Sequence, residues 1–160
     1  MTKELVITSP IEERYVDYNG HKTYVKIVGE RKDNGKKPLL VLHGGPGDCH
    51  NYLLDLARLA DEHDRQVIFY DQTGCGKSML EGMGEDFYTY DLWVNEYYTV
   101  IDALGLDDFH LFGNSWGGML GMLVARSRRD GAAGGGVAVH IGHVVHAPWV
   151  SLWSMIASLR

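Results

Sequence analysis

From residue 13 to residue 29 the chain alternates apolar and polar positions, and the alternation breaks once, at Asp17-Tyr18-Asn19-Gly20. Alternation at period two lines one face of a strand, and Asn-Gly tolerates the positive φ of a tight turn, so this stretch predicts a β-hairpin. Three short apolar runs follow, at residues 38–43 (PLLVLH), 66–71 (QVIFYD) and 109–112 (FHLF). Runs of that length without alternation suit strands buried on both faces of a parallel sheet. Between them the period changes to that of a helix. Residues 50–60 put Leu53, Leu56, Leu59 and Ala60 on one face. A second stripe joins Trp93, Tyr97, Val100, Ile101 and Leu104. Thr89 is placed to cap that helix, Asp91 lies in its first turn, where the helix dipole favours a carboxylate, and Gly105 is placed to end it. The stripe reads as sheet-facing core, not a ligand box. A third helix is expected from about Trp116 to Ala125. The order over residues 38–125 is β-α-β-loop-α-β-α, the alternation of an α/β fold with a mostly parallel sheet and flanking helices.

After residue 126 the character changes. Five glycines fall between positions 131 and 142, and His140, His143 and His146 stand three apart. Residues 137–145 could supply one more strand. On a strand, three histidines at that spacing fan apart and have no carboxylate or cysteine companions, so no metal site is expected. The division is residues 1–126 as a partial α/β domain and 127–160 as an atypical Gly/His-rich tail.

The sequence holds 21 acidic and 15 basic residues, a net charge of −6, which argues against nucleic acid or an anionic membrane as the main partner. No basic, then apolar, amino-terminal segment suggests a secretory leader, and no apolar run is long enough to span a bilayer, so a cytoplasmic protein is expected. Cys49 and Cys75 lie in glycine-containing loops without CxxC spacing and read as free thiols.

Three segments carry candidate chemistry. Residues 70–78 (YDQTGCGKS) look at first like a phosphate-binding loop, but counting back from Gly76-Lys77-Ser78 places Asp71 where that loop needs its first glycine. Gly113-Asn114-Ser115-Trp116-Gly117 fits G-x-S-x-G and lies between a predicted strand and a predicted helix, the context in which a serine is forced onto a sharp turn and exposed. His43-Gly44-Gly45-Pro46-Gly47 follows an earlier strand, and its backbone N–H groups could complete an oxyanion hole with the amide of Trp116.

In that order and spacing, HGGPG, YDQTGCGKS and GNSWGGML resemble the HGGPG, DQRGxGxS and GxSWGG motifs of the proline iminopeptidase family, α/β-hydrolase-fold serine peptidases. The resemblance covers roughly residues 10 to 125. It implies the amino-terminal part of an α/β-hydrolase fold, with Ser115 as nucleophile and Gly45 and Trp116 as oxyanion-hole amides. His43, Gly44, Pro46, Gly47, Asp71, Gln72 and Gly74 would build the surrounding loops. Thr73 stands where the family usually shows arginine, so any salt bridge made by that arginine is in doubt. The implied activity is release of an amino-terminal residue such as proline from a small peptide or amino-acid amide, with no cofactor. An esterase or carbon–carbon-bond hydrolase on the same scaffold, and a non-catalytic fragment, remain alternatives.

Family members are longer, and the triad acid and histidine follow the serine. No family-like motif for either is found after Ser115, and neither is assigned. The abrupt bias of the tail suggests a truncated chain or a shifted reading frame; a short form completed by a second chain is the other reading. Either implies low activity for the chain alone.

Overall fold

The computed structural model describes residues 5–127 and the backbone of 138–142. The alternating stretch becomes an antiparallel hairpin, β1 (Ile11–Tyr18) against β2 (His21–Val28), in register from Ile11↔Val28 to Tyr18↔His21. Asn19 at φ 49 and Gly20 at φ 81 close it, the pair of positive φ values that a two-residue turn needs to match the twist of its strands.

The apolar runs form β3 (Leu39–Leu42), β4 (Val67–Tyr70) and β5 (His110–Asn114). The last starts one residue later than its pattern suggested and runs two residues further, because Gly113 and Asn114 stay extended until the chain bends at Ser115. A sixth strand, β6 (Ala138–Gly142), falls within the stretch expected at 137–145. The sheet order is β1-β2-β4-β3-β5-β6. β2 meets β4 antiparallel, whereas β4, β3, β5 and β6 are mutually parallel. The rest of the tail, including His143 and His146, lies outside the described residues, as do the side chains of β6.

Helices cover both faces, and consecutive strand residues serve opposite ones. Leu40, Leu42, Ile68 and Tyr70 join the core under α2 (Tyr90–Ala103) and α3 (Trp116–Arg126). Leu39, Val41, Val67 and Phe69 join the other, with Ala57 and Ala60. Each fully buried aliphatic side chain contributes about 1.5–3 kcal/mol. Trp93, Tyr97 and Val100 of the predicted stripe are buried, with Ile101 and Leu104 packed against the same cluster, and Thr89 Oγ1 accepts from Leu92 N at 3.2 Å as the expected cap.

The segment predicted as a helix over 50–60 divides. Residues His50–Ala57 wind as a 3₁₀ helix, and α1 (Arg58–His63) continues as α-helix. Cys49 gives no side-chain cap, and His50 and Tyr52 are tied by hydrogen bonds to neighbouring loops, which holds the first part in the tighter winding.

Candidate active site

Because β4, β3 and β5 are parallel and adjacent, the loops leaving their carboxyl ends gather at one edge of the sheet, the usual place for a site in an open α/β fold. The loop after β5 is a sharp elbow. Ser115 has φ 51 and ψ −116, a left-handed conformation that non-glycine residues rarely hold, and α3 begins at the next residue. The elbow is possible only because its neighbours lack side chains. A Cβ on Gly113 would lie 2.4 Å from Gly117 O, and one on Gly117 would lie 2.3 Å from Leu42 O. Ser115 O accepts from Gly118 N and Met119 N, whereas the first amides of a helix, here beginning with Trp116, have no intrahelical acceptor. The positive end of the helix dipole therefore lies beside the serine.

The loop after β3 packs onto this elbow. A Cβ on Gly44 would lie 3.2 Å from the Cβ of Ser115 and 2.9 Å from the hydroxyl of Tyr52. Gly45 (φ 115) and Gly47 (φ 106) turn the loop, and the Gly45–Pro46 peptide is cis. Gln72 N donates to His43 Nε2 at 3.0 Å, which places the imidazole proton on Nδ1, 2.7 Å from Gly44 O. Burial holds the His43 pKa below its ordinary value, so the ring is neutral and both nitrogens are engaged. His43 is a brace for the loop, not a base for Ser115.

The loop after β4 is organised around a carboxylate. Asp71 Oδ1 accepts from His50 N at 2.9 Å and from His50 Nδ1 at 2.7 Å, while Oδ2 accepts from Lys77 N at 2.9 Å. Burial alone would raise the Asp71 pKa, but these bonds outweigh it and hold the carboxyl below its usual range. Gly76 admits this geometry, since a Cβ there would lie 2.4 Å from Asp71 Oδ2. An amide that a phosphate cradle would aim outward is thus turned onto the protein's own carboxylate. Lys77 Nζ reaches Glu13 and Tyr24 instead. Gln72 is fully buried and joins two loops, with Nε2 donating to His43 O at 2.9 Å and Oε1 accepting from Trp116 Nε1 at 2.8 Å. The amide of Gly74 donates to Ser78 O, and Cys75 Sγ accepts from Gly47 N. Cys49 and Cys75 are free thiols, and burial pushes the Cys75 pKa to about 11.

The alpha/beta hydrolase fold family matches residues 37–133, more than half of the sequence. The chain belongs to that family. Within it, the chain is 53% identical over 109 residues to a proline iminopeptidase of Clostridioides difficile (strain 630) and 48% identical over 114 residues to one of Lactobacillus delbrueckii subsp. lactis. These matches take in 68% and 71% of this chain but only 36% and 38% of the relatives, so it spans little more than a third of their length. Among solved structures it resembles a proline iminopeptidase of Mycobacterium smegmatis, with TM-score 0.68 and 44% identity over 73% of this chain and 40% of that one. It also resembles VinJ, with TM-score 0.69 and 35% identity over 82% of this chain and 43% of that one. No helix among the described residues is long and apolar enough to cross a membrane.

Three residues that tie these loops to their surroundings were not singled out as site residues from the sequence. Tyr52, two residues after His50, bonds Gly44 N at 2.7 Å and Asn114 Oδ1 at 2.8 Å. It lies off the apolar face drawn through Leu53, Leu56 and Leu59, so periodicity gave no reason to notice it. His50 likewise shows no signal apart from its distant partner Asp71. Glu96 is fully buried on the inner face of α2 and accepts hydrogen bonds from Thr23 Oγ1, Thr73 Oγ1 and Thr73 N, all neutral donors. Burial raises its pKa to about 7, against the lowering effect of those three bonds. Thr73 thus meets this buried acid through both its amide and its hydroxyl, beside Thr23. A cleft of about 600 Å³ lined by Tyr18, Phe87, Leu92 and Asn95 among others includes none of the loops around Ser115.

Proposed function

We propose that Ser115 is the nucleophile of a serine hydrolase site of the prolyl aminopeptidase type, with the amides of Gly45 and Trp116 as oxyanion donors. Ser115 Oγ attacks the scissile carbonyl of a small peptide or amino-acid amide and gives up its proton to a base. The carbonyl oxygen gains negative charge between the two amides. As the base passes that proton on to the leaving nitrogen, collapse expels the amine and leaves an acyl-enzyme, which water hydrolyses to release the amino-terminal residue, proline being the first to test. The reading uses no metal or organic cofactor. The observation that carries it is the left-handed Ser115 elbow packed against Gly44. The likeness to proline iminopeptidases supports the substrate class.

The triad acid and base stay unassigned: both nitrogens of His43 are held by Gln72 and Gly44, and the His50 ring, paired with Asp71, is buried against Tyr24 and Phe69. Removing the base from a serine nucleophile costs orders of magnitude in rate, so slow turnover is expected wherever only the described residues serve Ser115. The test is a paired assay of prolyl and alanyl arylamides against p-nitrophenyl esters, with Ser115→Ala as control. Arylamide turnover that vanishes in the variant supports the proposal. Ester-only turnover removes the peptidase reading, and turnover that survives Ser115→Ala removes the nucleophile.

A further inference from the structure

If Gly45 and Trp116 are to receive an oxyanion, the gap between their amides has to be held, and the side chains on either side of Ser115 show how. On one side Tyr52 Oη accepts from Gly44 N at 2.7 Å and donates to Asn114 Oδ1 at 2.8 Å. On the other, Gln72 Nε2 donates to His43 O at 2.9 Å while its Oε1 accepts from Trp116 Nε1 at 2.8 Å. The two bridges start on consecutive residues of the glycine loop, 43 and 44. They end on the side chains immediately before and after the serine. We propose that Tyr52 and Gln72 are positioning residues, paired clamps that set the distance between the glycine loop and the serine elbow. The functional consequence rests on the role proposed above for Ser115; the clamp geometry does not.

The residue types suit the task. A primary amide carries an acceptor and a donor side by side, so Gln72 can take an indole N–H at one end and give to a carbonyl at the other. A carboxylate would present an acceptor to His43 O, and an alkyl chain would do neither. A phenol likewise accepts one bond and donates one, which phenylalanine cannot. The loop needs such anchors because glycine at positions 44, 45 and 47 leaves its backbone little intrinsic preference. Gln72 is fully buried, so water does not compete for its amide, whereas Tyr52 is 47% exposed and closes its bridge at the mouth of the site. The arrangement also gives the two variable positions of Gly-Asn-Ser-Trp-Gly a purpose, since each supplies the far end of a clamp.

The test compares Tyr52→Phe and Gln72→Leu in the full chain by two readouts. One is the rate at which a fluorophosphonate probe labels the chain at a site sensitive to Ser115→Ala. The other is the position of the Gly45 and Trp116 amide resonances in a nitrogen–proton correlation spectrum. Each variant is expected to slow labelling about tenfold, less than the roughly 10²–10³-fold of losing an oxyanion donor outright. Each should also move both amides. Tyr98→Phe, which removes a hydroxyl bonded to Val124 O and Ser127 O at the far end of α3, should change neither. Folded Tyr52→Phe and Gln72→Leu proteins with wild-type labelling and unmoved amides overturn the proposal. If Gln72→Leu fails to fold, Tyr52→Phe decides alone, because it removes one atom from an exposed ring. If the wild-type chain takes no label, the nucleophile reading falls while the amide resonances still judge the clamps: moved, they uphold them; unmoved, they overturn them.

Discussion

Glu96 shows how one residue can dominate the pH response of a small domain. Its carboxyl is buried among neutral donors and its pKa is raised to about 7, against an ordinary 4.5. Between those values the folded chain keeps the proton that the unfolded chain has released. The contribution to stability is therefore complete below about pH 4.5, falls by about 1.4 kcal/mol per pH unit as pH rises, and levels off above 7. His43 acts in the opposite sense. Its pKa is depressed by burial, so its contribution is lost as pH falls below the ordinary histidine value of 6.5. Urea unfolding of wild type and Glu96→Gln at pH 4.5 to 7.5 separates the two. The difference between the proteins should change by up to about 3 kcal/mol across that window, and a constant difference would show that Glu96 ionises normally.

At the scale of elements, the contact between α3 and β3 decides whether the elbow exists. Gly117 lets the first turn of α3 rest on the backbone of the neighbouring strand, where a Cβ would lie 2.3 Å from Leu42 O and 2.6 Å from His43 O. Neither oxygen is the end of a flexible side chain, so the strain has to be taken up by moving the helix or the strand. Gly117→Ala should destabilise the fold by about 3 kcal/mol, measured as a lower urea midpoint at unchanged slope. Gly84→Ala, with open space around it and φ −73, should stay within about 0.5 kcal/mol of wild type. The elements themselves were largely legible, because each rests on local chemistry. The hairpin follows from alternation and Asn-Gly, β3 and β4 from unbroken apolar runs, and α2 from its stripe, Thr89 and Gly105. The 3₁₀ winding of His50–Ala57 was not legible, since it depends on ties to Asp71, Gly44 and Asn114 that only the assembled sheet supplies. Glu96 was missed for the same reason: its partners, Thr23 and Thr73, are remote in sequence.

For the molecule as a whole, strand order matters more than any single motif. Residues 43–47, 71–78 and 113–117 are scattered along the chain, yet the first two directly follow β3 and β4 and the third begins in the last two residues of β5, three adjacent parallel strands, so they meet at one end of the sheet. Motif spacing announced the elbow and the glycine loop. It could not announce that Tyr52 and Gln72 would stitch them together, because those contacts join side chains 62 and 44 residues apart. The same assembly explains why the Gly-Lys-Ser sequence is not a phosphate loop, since Asp71 holds the amide of Lys77. The chain matches little more than a third of the length of the proline iminopeptidases it resembles. The most direct measurement is intact-mass analysis of the folded chain after fluorophosphonate treatment, with the modified peptide sequenced by fragmentation. The account predicts a single adduct on Ser115 that is absent from Ser115→Ala. An adduct on any other residue, or none on a folded chain, would contradict it.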